Sequence, residues 1–559
     1  MALLFGLLSE GIALTVAALA LLADVLMSRL AQLLRFRRNI PRAAATALAG
    51  ASAMSAFAWA QSGAERTYTA EEVACHGSMA NGVWVTLGDG VYDVTDFVRH
   101  HPGGDHILAA GGGPLEPFWA QWQVHLTSKV MDHLQPLRIG RLSPSDRLAG
   151  IFGIADPYDD EPERDPRLGV LGARPFDSET ALEALRDAFH TPQALFFVRN
   201  HLPVPRIDEA EHRLTIELGD GRRRSLSMDE LRALPQTRVD ATLQCTGNRC
   251  NEIDSSVAGG IGQIGNASWE GVRLRDLLLA PLPSPTNASS AEGVVSQEPA
   301  KQPTRQPPLR GHLHAVGRDG YEVSIPLDKV MDERGGVLLA HSMNGEPLSR
   351  DHGAPLRLLV PGFVGARSVK WLSHLRVEAA ESSSVWQERY YRIFPPWVRD
   401  IRDIDYHDHA SAPPVYEFPV QSAIVAPADG EAVQREADGA VEVRGYAVSG
   451  AGQRVMSVRL STDGGDNWRD AALQRSPEHR TVATAAADTT AASAAEPPGR
   501  TWSWVLWSAR VPVPPGGGEV RLRCKAIDSA YNSQPERADY NLRGYLSNAQ
   551  PNVMIRVIQ

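Results

Sequence analysis

Hydrophobic and polar positions divide the chain into stretches of different texture. Across residues 83–97 (VWVTLGDGVYDVTDF) apolar residues alternate on either side of Gly88-Asp89-Gly90. A period of two broken by turn residues predicts a β-hairpin. The same period recurs near the C terminus in VEVRGYAV (441–448), VMSVRLSTDGG (455–465), WSWVLWSARVPV (502–513) and EVRLRCKAID (519–528). Turn signals separate these runs, so residues 411–559 are predicted to form a β-sandwich, with the Ala/Thr-rich stretch 482–497 as a loop. Residues 169–410 mix short strand-like runs such as LRLLV (356–360) with a helical stretch at 179–189, which predicts a mixed α+β domain.

The polar stretches supply the boundaries. Residues 144–168 are rich in Pro, Gly and acid, as a flexible linker is, and separate a compact unit at 66–143 from the α+β domain. A Pro/Ser/Gln-rich tract at 281–310 reads as a surface insertion with no core of its own. Residues 1–65 read as a targeting leader, because an apolar run at 12–23 precedes Arg29, Arg35, Arg37, Arg38 and Arg42 and then an Ala-rich stretch. Neither apolar run reaches the roughly 20 residues of a membrane span, so a retained anchor is the less favoured reading. The order of the leader's parts fits a two-part mitochondrial presequence to the intermembrane space, or twin-arginine export through Arg37-Arg38.

The formal net charge of −10 becomes −13 once residues 1–60, with five Arg and two acids (Glu10, Asp24), are set aside. Such a body repels nucleic acid and attracts a basic protein partner. Four cysteines, Cys75, Cys245, Cys250 and Cys524, are too few for a disulfide framework in 559 residues, which leaves single thiols free for chemistry.

Three places carry candidate chemistry. His101, within His100-His101-Pro102-Gly103-Gly104, and His125 could fill both axial positions of a haem iron, an arrangement suited to electron transfer. His100 and His106 are the weaker candidates nearby. Cys245 follows the alternating VDATLQ and precedes a Gly-containing turn, so it is displayed at a strand end as a soft ligand for a metal, with Arg249 favouring its thiolate. Arg199, Asn200 and His201 form a polar cluster between apolar runs, and an Arg fork there suits a phosphate or an anionic substrate. GIGQIG (260–265) matches the dinucleotide GxGxxG but lacks a preceding strand, and is rejected as a nucleotide site.

The segments YTAEEVACH, VYDVTDFVRHHPGG and VHLTSKV stand in the order of a cytochrome b5 domain, which residues 68–142 closely resemble. FFVRNHLPVP, LQCTGNR, GYEVSIPLDKVMD, LLAHSMNGEPLSRDHGAPLRLLVPGFVGARSVKWL, VQSAIVAP, RLSTDGGDNW, CKAIDSAYNSQP and NLRGYLSNA extend the likeness, and the chain resembles the animal-type sulfite oxidase family from about Tyr68 to its end. The resemblance implies a b5-like haem domain, a molybdopterin domain and an immunoglobulin-like dimerisation domain. It implies oxidation of sulfite to sulfate at one molybdenum-pyranopterin, with electrons passing through a haem b to a cytochrome c. His101 and His125 would be the axial ligands, with Phe97, Leu108 and Val124 in the haem pocket. Cys245 would bind molybdenum. Phe196, Phe197, Val198, Arg199, Asn200, Asp319, His352, Arg357, Ser368, Val369 and Lys370 would hold the pterin, and Tyr321, Arg199 and Arg454 would face the substrate.

Cys250 departs from the family pattern, which has a second Arg directly after the first in the cysteine motif. The chain is also shortened before Trp269, so the Trp that lines the family's substrate pocket has no counterpart. Losing one guanidinium predicts weaker sulfite binding, by roughly 1.5 to 3 kcal/mol for one hydrogen bond to a charged group. Two rivals follow: a nitrate reductase-like molybdoenzyme, in which the b5 unit would come after the molybdenum and dimer modules, and an electron-transfer protein that has lost catalysis.

Overall fold

The computed structural model describes residues 65–79, 81–101, 107–108, 110–119, 125, 128–147, 158–219, 221–255, 259–280, 311–400, 404, 411–475 and 500–558. Residues 1–64 of the predicted leader, the whole inserted tract 281–310, the 482–497 loop, His106 and Val124 lie outside these residues.

The hairpin expected around Gly88 forms between strands Gly82–Leu87 and Gly90–Asp93, and Gly88 takes the positive φ (+60°) that a tight turn requires. It belongs to a six-stranded sheet whose alternate residues Val83, Val85, Tyr92 and Val94 point into one core with Val98, Ile107, Leu115, Trp119 and Leu134. Helix Ala70–Ala74 opens on a capping box between Thr69 and Glu72, as the sequence TAEE dictates.

The central region is built on two five-stranded sheets. In one, Gln236–Gln244, Ile264–Arg273, Leu338–Met343 and Glu346–Pro347 follow in order, with Arg357–Leu359 pairing on Leu338–Met343. In the other, Arg223–Ser227, Arg213–Glu217, Leu372–Glu378, His312–Gly317 and Glu322–Pro326 are neighbours. Short helices such as Met228–Arg232 and Leu274–Leu279 bury their apolar faces against these sheets in a core that includes Leu214, Leu277, Leu313, Val323 and Leu375. The helix expected at 179–189 is confined to Leu182–Asp187. Its first residues are taken by strand Phe176–Glu179, where pairing with Gly169–Ala173 overrides local propensity.

The C-terminal region is the expected sandwich. A four-stranded sheet faces a five-stranded one, and Val443, Val458, Leu460, Trp507, Leu522 and Ile555 fill the space between them. Trp502 and Trp504 reach across into the central region, where the Thr242 hydroxyl accepts the Trp504 backbone N–H at 2.8 Å and the Phe189 carbonyl accepts its indole N–H at 2.9 Å.

The expected linker is not flexible along its whole length. Residues 158–168 are fastened to the central region by ion pairs of Asp160 with Arg206 and Arg350, and of Arg164 with Asp351. Leu168 is buried with Phe176 and Val198. Among the described residues, no helix is long and apolar enough to cross a membrane.

Candidate functional site

In the first unit the His101 and His125 rings face each other with centroids 6.0 Å apart and planes 11° from parallel. Two metal–imidazole bonds of about 2 Å each, plus half a ring on either side, span such a gap. Phe97 packs edge-on against His101 and Trp119 lies flat against His125, which fixes both ring planes. Leu108 and Phe97 border the same core. His100 is exposed at the end of the 3-10 turn Val98–His100, so the backbone separates it from its neighbour's role. The geometry fits a bis-histidine haem.

The second site is a cavity in the central region. Segments far apart in sequence line it: Phe196, Phe197, Arg199, Asn200 and His201; Leu243 and Cys245; Asp319 and Tyr321; Asp351, His352 and Arg357; Gly365, Ala366 and Ser368 to Trp371; and Tyr391. Ten of the eleven residues expected to hold the pterin therefore meet here. Val198 does not line the cavity; it pairs with Ser178 through its backbone and holds the segment in place.

One end of the cavity is cationic. Arg357 is buried, donates to the carbonyls of His352 (3.1 Å) and Ser368 (3.0 Å), stacks over Trp269, and leaves its Nε without a partner. Burial pushes its guanidinium down to about 9. Lys370 donates to Asn200 and to the Asp351 carbonyl; burial lowers its pKa, against the opposing pull of Asp351 and Asp319. His352 is likewise pushed down, by burial and then by Arg357. A buried cation without a counter-charge costs several kcal/mol, so this cluster is built for an anion that arrives with a ligand. The phosphate of a pyranopterin meets that requirement.

Cys245 stands at the other end. Its N–H donates to the Gln263 carbonyl at 2.9 Å and the Gly247 N–H points at its sulfur. Burial raises its thiol pKa and Arg199 pulls it back down. The helping cation is thus Arg199 and not Arg249, because Arg249 turns away and pairs with Glu252 (2.8 and 2.7 Å) and the carbonyls of Ser422 and Ala549. That binds the cysteine turn to the sandwich. Cys250 is buried, with its thiol pushed up to about 11 mainly by burial, so it supplies no charge.

Tyr321 donates its hydroxyl to the Ala366 carbonyl at 3.0 Å, and burial keeps it protonated. His201 stacks on it and bonds to the Tyr391 hydroxyl at 2.8 Å. Asp319 lies beneath, its carboxyl raised by burial to about 6 despite the Tyr321 N–H. Arg454 is not part of this cavity: its side chain is exposed and its backbone is pinned to Ser529. Tyr391, Asp351 and Trp371 went unnoticed in the sequence. Asp351 was adjacent to His352 in a recognised segment, but nothing local marked Tyr391.

The glycines of GIGQIG serve another end. Gly260 and Gly262 donate their N–H groups to the Glu179 carboxylate, and strand Ile264–Arg273 follows where a nucleotide site needs a helix.

Taken together these are the parts of an oxidoreductase that joins a haem module to a molybdopterin module. Residues 69–143 match the cytochrome b5-like heme/steroid binding domain, 201–386 the oxidoreductase molybdopterin binding domain and 412–558 the Mo-co oxidoreductase dimerisation domain. The chain is 42% identical to the mitochondrial sulfite oxidase of Macaca fascicularis, over 88% of this chain and 85% of that one. A nitrate reductase [NADH] of Volvox carteri is 30% identical, and the match spans 79% of this chain but 47% of that protein. The sulfane dehydrogenase SoxCD of Paracoccus pantotrophus has the same fold, with a TM-score of 0.52 at 21% identity over 73% of this chain and 96% of that one. The chain belongs to the sulfite oxidase family. Its cofactors are accordingly a molybdopterin and a haem.

Proposed function

We propose that this protein oxidises sulfite to sulfate and passes the electrons through its b-type haem to a cytochrome c. It works as a homodimer through residues 411–559, in the mitochondrial intermembrane space, with haem and molybdopterin units at 66–143 and 169–410. The observation that carries this reading is the single cavity in which an anion-binding Arg199, the thiol of Cys245 and the hydroxyl of Tyr321 adjoin a buried cationic cradle.

Bound molybdenum would supply oxygen-atom transfer and accept two electrons. Sulfite and water give sulfate, two protons and two electrons. Cys245 holds the metal as thiolate, favoured by Arg199. Arg357, Lys370, His352 and Ser368 hold the phosphate, while Phe196, Phe197, Asn200, Asp319 and Val369 wall the pterin. Arg199, 38% exposed into the cavity, offers its guanidinium to the substrate oxygens. Tyr321, kept protonated by its burial, lines the cavity with its hydroxyl held on the Ala366 carbonyl, and would turn that proton toward the reacting oxygen when substrate is bound. Val198 secures the segment that bears Arg199, and His101 and His125 ligate the haem iron.

The optical spectrum of the purified holoenzyme before and after sulfite tests this. A b-type spectrum that becomes reduced is expected. Loaded protein whose haem stays oxidised with sulfite would overturn the reading, and turnover with nitrate in place of sulfite would replace it.

A further inference from the structure

Beside the guanidinium of Arg199, and outside the residues that line the cavity, stands a carboxylate. Asp177 lies on strand Phe176–Glu179, which bridges to Arg199 through an isolated antiparallel pairing. Its Oδ2 is 3.4 Å from the Arg199 Nη1, and its Oδ1 accepts from the Gln263 Nε2 at 3.1 Å. Charge-assisted N–H···O bonds usually measure about 2.7 to 2.9 Å. Asp177 therefore stands beside the guanidinium without clamping it as a bidentate pair, and Arg199 keeps its face toward the cavity. The carboxylate is 18% exposed, so its charge is weakly screened by solvent.

The neighbouring residues do not offset that carboxylate at the substrate end. The position that carries a second Arg in the family pattern holds neutral, buried Cys250. A Cβ placed on Gly247 would lie 3.9 Å from the Cys245 sulfur and 4.0 Å from the Cys250 sulfur, so the thiol at 250 adjoins the metal-binding turn. Arg249 is spent on Glu252. Burial raises the Asp177 carboxyl, and Arg199, the Gln263 amide and Lys370 pull it back toward the charged form, while Glu179 beyond it adds negative charge. The substrate end thus pairs one guanidinium with one carboxylate.

We propose that Asp177 is a specificity-determining residue that limits the affinity of the site for dianions by offsetting the charge of Arg199, and so speeds release of the sulfate product. This rests on the sulfite-oxidising reading. A full charge within a few ångströms of a partly solvated anion changes its affinity on the order of tenfold.

The test is steady-state kinetics of the holoenzyme. Asp177→Asn keeps the shape and an acceptor for Gln263 while removing the charge. It is expected to lower both KM for sulfite and the inhibition constant of sulfate about tenfold, with the difference shrinking at high salt. Asp177→Glu, which retains the charge, should leave both near wild type. If Asp177 merely held Arg199 in place, Asp177→Asn would raise KM instead. A raised or unchanged KM overturns the proposal. Asp177→Ser removes the same charge with a smaller side chain, and should lower both constants; if it does not, the proposal fails even where Asp177→Asn does not accumulate. A wild-type holoenzyme whose haem sulfite cannot reduce overturns the functional reading and this proposal together. An active wild type with unaltered constants in Asp177→Asn overturns this proposal alone.

Discussion

The haem unit holds its site by symmetry and the molybdopterin unit by charge. Around His101 and His125, two imidazoles and an apolar core of Val94, Val98 and Trp119 form the pocket, all within one short stretch of chain. The molybdopterin cavity draws on segments from Phe196 to Tyr391 and buries Arg357 and Lys370 with less counter-charge than they need. The haem site can exist before its cofactor at little electrostatic cost. The other pays in advance, by burying cations whose partner arrives with the ligand. Its apo form should consequently be strained in a way that the haem unit's is not.

The largest effects should separate the two sites outright. Cys245→Ser is expected to slow sulfite-driven haem reduction more than the roughly 10- to 100-fold that loss of an outer-shell partner costs at a metal site. The haem spectrum should remain. Stopped-flow absorbance reads both, and fast reduction in this variant would remove Cys245 from the metal. His101→Ala should do the converse, eliminating the haem spectrum and cytochrome c reduction while molybdenum content and turnover with ferricyanide persist. Loss of molybdenum from this variant would mean that the two units are not independent.

Arg357→Met sharpens the contrast in charge. It should weaken molybdopterin retention about tenfold or more, as loss of a hydrogen bond to a charged group implies. The melting temperature of the cofactor-free protein should stay level or rise, because an unsatisfied buried cation is gone. A lower melting temperature would show that the guanidinium is chiefly structural.

The smallest effect concerns a charged pair outside both sites. His314 is lowered by burial but raised overall by its bonds to Glu322 (3.3 Å) and the Ala380 carbonyl (2.9 Å). A folded-state pKa above the unfolded value of about 6.5 adds stability that is fully present below that pH and is lost as pH rises through the folded value. Melting temperature should fall slightly across this window, and His314→Gln should remove that slope. An identical slope in the variant would assign it elsewhere.

Legibility followed the same division. The haem hairpin, HPGG and the spacing to His125 could be read directly, since a short-range site leaves its pattern in contiguous residues. The sandwich was readable from alternation alone. For the cavity, the lining segments could be matched but the partners could not. Arg249 and Arg454 both had the right chemistry for an anion site, yet the left-handed turn at Arg249 directs it to Glu252 and Arg454 stays on the surface. Asp177 and Tyr391 had no local signature, because their relevance lies in what the fold sets beside them. Arg164, read as linker, proved to grip Asp351 at the cavity wall.

By itself the sequence determined the order of the units, the strand periods, the pair of histidines His101 and His125 and the thiol at Cys245, since each depends on spacing along the chain or on a side chain's own chemistry. Tertiary structure decided which cations face the cavity, where the linker is anchored and that Asp177 stands against Arg199. Those outcomes depend on the direction of side chains brought together from distant strands, and electrostatic energy follows distance in space and not distance in sequence.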